Sequence, residues 1–108
     1  MIRVTNKTTY RGPGVYIGRT WTSRPSIFVN PHIEGTTKEN IANYRTYFGK
    51  RYTEDEVFRA AVHKIAKQAH MGELILICWC DPLPCHGHII RDFIQQYNKI
   101  RMMREVKL

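Results

Sequence analysis

The sequence predicts a single small α/β domain, Rossmann-like in the loose sense, with a short, mostly parallel sheet and about three helices. Leu74-Ile75-Leu76-Ile77-Cys78 is a continuous apolar run of strand length, the pattern of a strand covered on both faces. Two capping boxes, each followed by apolar residues at helical spacing, precede that run, and a further helical stripe follows it. Strand, helices, buried strand and helix in that order form an α/β layer pattern.

Val15-Tyr16-Ile17 is short, β-branched and aromatic, and lies between Gly14 and Gly18, which reads as a strand with a turn at each end. Arg19 to Pro31, with two prolines and several small polar residues, reads as a long loop of the kind that serves binding. Within it, Ile27-Phe28-Val29 is at most a brief extended piece ahead of Asn30-Pro31. Thr36 with Glu39 forms the first capping box, and Ile41, Tyr44 and Phe48 then mark a helix running toward Gly49. Thr53 with Glu56 forms the second, ahead of Val57, Phe58, Ala61, Val62, Ile65, Ala66 and Ala69, which trace a helix ending near Gly72. The apolar run that follows should be the central strand. From about His86, the residues Ile89, Ile90, Phe93, Ile94, Tyr97 and Ile100 trace the inner face of the last helix, with Arg91, Gln95, Gln96, Lys99 and Arg101 outside.

A chain of 108 residues without repeat, linker or low-complexity tract fits one domain, 1–108, and excludes a multi-domain enzyme. No apolar run approaches the roughly 18 residues of a membrane span, and Met1-Ile2-Arg3-Val4-Thr5 lacks the apolar core of a signal peptide, so an intracellular, cytoplasmic protein without a membrane partner is expected. The three cysteines fall between Cys78 and Cys85, so no disulfide framework joins distant segments, and free thiols in a reducing compartment are the simplest reading. The formal net charge is +8, which draws a domain toward nucleic acids, nucleotides or other polyanions. Residues 1–33 contain Arg3, Lys7, Arg11, Arg19 and Arg24 and no acid, interleaved with Tyr10, Tyr16, Trp21 and Phe28, which either stack on bases or pack.

Cys78-Trp79-Cys80-Asp81-Pro82-Leu83-Pro84-Cys85-His86-Gly87-His88 lies where the buried strand ends and the last helix begins. Ligands of open α/β sheets bind beyond the carboxyl ends of the strands, and the free N–H groups of a following helix favour an anion there. Pro82 and Pro84 stiffen the connection. Three chemical readings stand beside a structural one. A thiolate at the helix N-terminus beside His86 would have a lowered pKa, making Cys85 a nucleophile. Cys85 to Arg91 matches the Cys-x5-Arg spacing of phosphate-cradling loops, although Ile89-Ile90 stands where those loops bend on glycine. Cys78, Cys80, Cys85, His86 and His88 are zinc-type ligands, but all come from one segment, whereas structural zinc sites usually draw pairs from two. The structural reading makes the cysteines core and turn residues and the histidines surface residues. Elsewhere, Arg19 after the first strand is placed to hold a phosphate or carboxylate at the same sheet edge, or is an ordinary exposed arginine. Asn30 presents an amide to a ligand or forms a turn. His63 and His70, on or near the second helix, read as solvent-exposed.

In chain order, Val15-Tyr16-Ile17-Gly18-Arg19, Asn30-Pro31, Tyr44-Arg45, and Cys78-Trp79-Cys80 with Pro82, Pro84 and Cys85-His86-Gly87 resemble the small domain of unknown function numbered 4326, found in phages and bacteria. The similarity runs from about Val15 to Phe93, with the cysteine-rich segment its specific part. It implies a fold and a site location and supplies no reaction. Where that family commonly has Gly before Asn-Pro and an aromatic after it, this chain has Val29 and His32, and an acid is frequent where His88 stands.

The expectation is an intracellular, phage-type accessory protein binding a nucleotide or nucleic-acid phosphate at the Cys-His turn. Cys85 and His86 are its candidate catalytic pair, and Arg19, Asn30, Cys80, Gly87 and His88 its candidate ligand contacts. No metal ligand, cofactor or oligomeric state is assigned. The alternative is a non-enzymatic basic protein that binds DNA or a host protein, its Cys-His turn structural or zinc-bound.

Overall fold

The computed structural model describes residues 1–7, 10, 12–18, 26–31, 37–78 and 85–106. They form β1 (Ile2–Asn6), β2 (Val15–Tyr16), α1 (Thr37–Glu54), α2 (Glu56–Met71), β3 (Leu74–Cys78) and α3 (His86–Val106). The three strands make a parallel sheet in the order β1-β3-β2, with Val4 and Val15 both opposite Leu76. β3 is therefore central and is buried along its whole length, as its unbroken apolar run requires.

β1 is not among the elements expected from sequence. It offers only Ile2 and Val4 to the core, half-buried, while Arg3 lies beside Ile75 on the opposite face. Such a strand is made by pairing with β3 rather than by its own pattern. Leu74, Leu76 and Cys78 face one core cluster to which all three helices contribute, among them Phe48 from α1, Phe58 and Val62 from α2, and Ile90 and Ile94 from α3. The aromatic rings interlock, Phe48 meeting Phe58 edge-on at 5.1 Å and Phe93 at 4.9 Å.

The junction of α1 and α2 differs from the capping pattern. α1 continues past Gly49 to Glu54, and the Thr53 hydroxyl donates to the Gly49 carbonyl within the helix. The cap of α2 is Asp55, whose Oδ1 accepts from the N–H groups of Val57 and Phe58 at 3.0 and 3.1 Å. A glycine in an exposed helix interior costs only about 1 kcal/mol, and the burial of Tyr44, Phe48 and Tyr52 on the same helix outweighs it. Arg59 closes the corner by donating to the carbonyls of Tyr52 and Thr53, two of the orphan acceptors in the last turn of α1. The first capping box rests on Thr36, which lies outside the described residues. α3 carries its stripe inward as expected except at Ile100, which is 42% exposed because the helix has run past the body of the domain by then.

Candidate functional site

The carboxyl ends of the strands are held level by backbone bonds: Lys7 N–H donates to Cys78 O at 2.7 Å and Ile17 N–H to Ile77 O at 2.9 Å. α3 starts at this edge and runs back toward the amino ends, so its first turn faces Ile17.

Cys85 is the residue before the helix and is 2% exposed. Its Sγ lies 3.5 Å from His86 Nδ1 and accepts from the Gly87 N–H at 3.4 Å. His86 is 9% exposed, against the surface position of the structural reading, because its Nε2 sits 2.7 Å from the carbonyl oxygen of Ile17. A carbonyl only accepts, so this bond assigns the hydrogen to Nε2 and turns the Nδ1 lone pair toward the thiol. Thiol, imidazole and a backbone carbonyl that orients the ring thus follow one another, the order that a nucleophile–base arrangement would need. Transfer of the thiol proton to Nδ1 leaves a thiolate facing an imidazolium, the Gly87 N–H and the positive end of the α3 dipole, and each favours the anion.

The Tyr44 ring packs edge-on against His86 at 4.9 Å, and its hydroxyl donates to Phe28 O at 2.7 Å. Burial, reinforced by neighbouring Tyr47 and Cys85, pushes the Tyr44 phenol far above its ordinary range, so it stays neutral and keeps that donor. Tyr44 therefore ties the loop carrying Asn30 to the imidazole. Its spacing on the helical stripe of α1 does not separate it from an ordinary core aromatic, and only the place of Tyr44-Arg45 in the family resemblance marks it out; the part played by Ile17 belongs to its backbone and has no sequence signal.

Gly87 is buried, and a Cβ there would lie 2.8 Å from Ile17 Cδ1 and 3.1 Å from Val4 Cγ1. The missing side chain is what lets the helix reach the strand ends. His88 Nδ1 accepts from the Cys85 N–H at 3.2 Å, the side-chain half of a capping box with Cys85 at the cap position, while the His88 N–H donates to the backbone carbonyl of Cys85 at 3.0 Å and closes the first turn. The Asn30 side chain donates to Asn40 O at 3.1 Å and fastens its loop to α1. Ser26 N–H donates to Gly18 O at 3.1 Å, closing the base of the segment that carries Arg19. Arg19 and Cys80, with Trp79, Pro82 and Pro84, lie outside the described residues. Among the described residues no group of three His, Cys, Asp or Glu is gathered as a metal would need, so the zinc alternative rests on Cys80.

Fold and site together define a small parallel α/β domain with a buried thiol–imidazole pair at a helix N-terminus on the carboxyl edge of its sheet. The chain matches the family model of the domain of unknown function DUF4326 over residues 2–96, and it belongs to that family. No curated protein and no solved structure matches it. His88 sits third in the helix, the usual acceptor position of a capping box, and its Nδ1 supplies the acceptor.

Proposed function

We propose that this protein binds a nucleotide or nucleic-acid phosphate at the Cys-His turn and that Cys85 acts on the bound ligand as a nucleophile with His86 as its base. The observation that carries the reading is the position of Cys85 Sγ between His86 Nδ1 and the Gly87 N–H. In the step this implies, His86 takes the thiol proton, sulfur bonds to an electrophilic centre of the ligand, and the leaving group departs with the proton from His86. The charge of +8 favours a phosphate-bearing ligand, and the carboxyl edge of a parallel sheet is where such ligands bind. An intracellular, phage-type accessory role is part of this reading.

A second reading is favoured by the burial of Cys85 and its reciprocal bonds with His88, which serve equally well as a helix cap. The protein is then a non-enzymatic binder of DNA or a host protein. Mass-spectrometric alkylation of the three cysteines near neutral pH, with and without a panel of nucleotides, separates the two. The catalytic reading expects Cys85 to react fastest and a nucleotide to protect it, and Cys85→Ser to keep the fold while abolishing any activity on the bound ligand. Equal slow rates at all three, unchanged by nucleotide, establish the structural reading. Binding to single-stranded nucleic acid that weakens steeply with salt, and further on replacing Arg11, Arg19 and Arg24 by Ala, is expected of either DNA-binding form.

A further inference from the structure

Opposite the Cys-His turn, about 24 Å along α3 from His86, the amino edge of the sheet carries a groove of about 840 Å³. Met1, Ile2 and Ala69 meet Met102 and Met103 there, and His70 and Lys99 stand at its border. The chain has four methionines; three line this groove and the fourth, Met71, follows His70 at the end of α2. Large apolar side chains are left in water here: Met1 is 79%, Met102 52% and Met103 54% exposed, and Ile100 lies on the same last turns of α3. The floor is fixed, since Asn98 donates to Ala66 O at 3.0 Å and pins α3 to α2, while the methionines above it are the unbranched, adaptable side chains that accept a helix face.

Charge selects the occupant. Among the described residues no carboxylate lines the groove, whereas Lys99 does, and Arg101 lies beside it with its guanidinium over the Tyr97 ring at 5.9 Å. A second copy would bring the same cations and another +8 of net charge to the contact, which opposes self-association. We propose that this groove docks an amphipathic helix of a partner protein whose apolar face meets the methionines and whose flanks are acidic.

The probe is a 16-residue model helix with Leu at i, i+3, i+4 and i+7 positions and Glu elsewhere, titrated calorimetrically into the full chain. Two controls accompany it: the same composition scrambled to remove the apolar face, and the same pattern with Lys for Glu. The proposal expects the acidic amphipathic helix to bind at least about tenfold more tightly than either control. It also expects M102E/M103E to abolish that difference, and Met102→Gln with Met103→Gln to reduce it. Both variants change exposed residues, and an unchanged melting temperature shows that the fold is kept. Equal binding of the scrambled acidic peptide means bulk charge attraction and overturns the proposal. So does binding that survives M102E/M103E, absence of binding, or a sedimentation mass showing that a second copy covers this face.

Discussion

The Nε2–H of His86 donates to the carbonyl oxygen of Ile17 across 2.7 Å, and this bond joins the first turn of α3 to the end of β2. It does two things at once. It satisfies a buried acceptor, and by fixing the tautomer it leaves Nδ1 facing Cys85 Sγ at 3.5 Å.

Replacing His86 by Ala is therefore expected to show in two independent readouts. A buried carbonyl left without its donor costs about 1–3 kcal/mol, a fall of several degrees in Tm for a domain of this size. The pH profile of Cys85 alkylation should also move up toward the ordinary thiol range, near about 8.5, because the base is gone. A profile that stays in place while Tm falls would leave His86 only its structural part.

Gly87→Ala tests the close approach of helix and strands. In an exposed helix interior, alanine in place of glycine stabilises by about 1 kcal/mol. Here the added methyl meets Ile17 Cδ1 at 2.8 Å and Val4 Cγ1 at 3.1 Å, and Ile17 cannot retreat because its side chain is fully enclosed and its carbonyl is held by His86. Overpacking of this kind costs about 1–3 kcal/mol, so denaturant melts should show net destabilisation, the opposite sign from a surface helix.

His88→Ala removes the acceptor for the Cys85 N–H and is expected to cost about 1 kcal/mol. His88→Glu restores an acceptor at the third helical position and adds a negative charge at the amino end of the dipole, so it should recover the loss. Thermal melts of the two variants side by side check this. Failure of Glu to recover any stability would mean that His88 acts by packing alone.

The Asp55 carboxyl is held below its ordinary value of 3.8, first by the Phe58 N–H and further by Arg51 and the Val57 N–H. Its folded pKa is depressed, so its contribution to stability is fully present above the unfolded value. It is lost as pH falls through the lower folded one, a window that opens below about pH 4. Asp55→Asn keeps a capping oxygen but no charge, and it should be less stable than the parent at neutral pH and converge with it at low pH. Urea melts across that range test the convergence, and parallel curves would assign the acid loss to other carboxylates.

What the sequence by itself determined is local. The unbroken run Leu74 to Cys78 marks a strand buried on both faces, and the stripes of α2 and α3 mark helices, because periods of two and 3.6 are written into neighbouring residues. It also placed Cys85 and His86 together at a helix start. Only the tertiary structure decided the rest. β1 exists because Ile2–Asn6 finds β3 across the chain, and a segment with two apolar residues shows no pattern until its partner is beside it. Asp55 rather than Thr53 caps α2 because the packing of Tyr52 and Phe48 carries α1 past Gly49. The imidazole turns its Nδ1 to the thiol only when Ile17, 69 residues away, offers a carbonyl to the far nitrogen of the ring. A backbone acceptor is the same in every residue type, so the amino-acid order gives no sign of which one a histidine will meet; the close approach of helix to strand, allowed by Gly87, makes the choice.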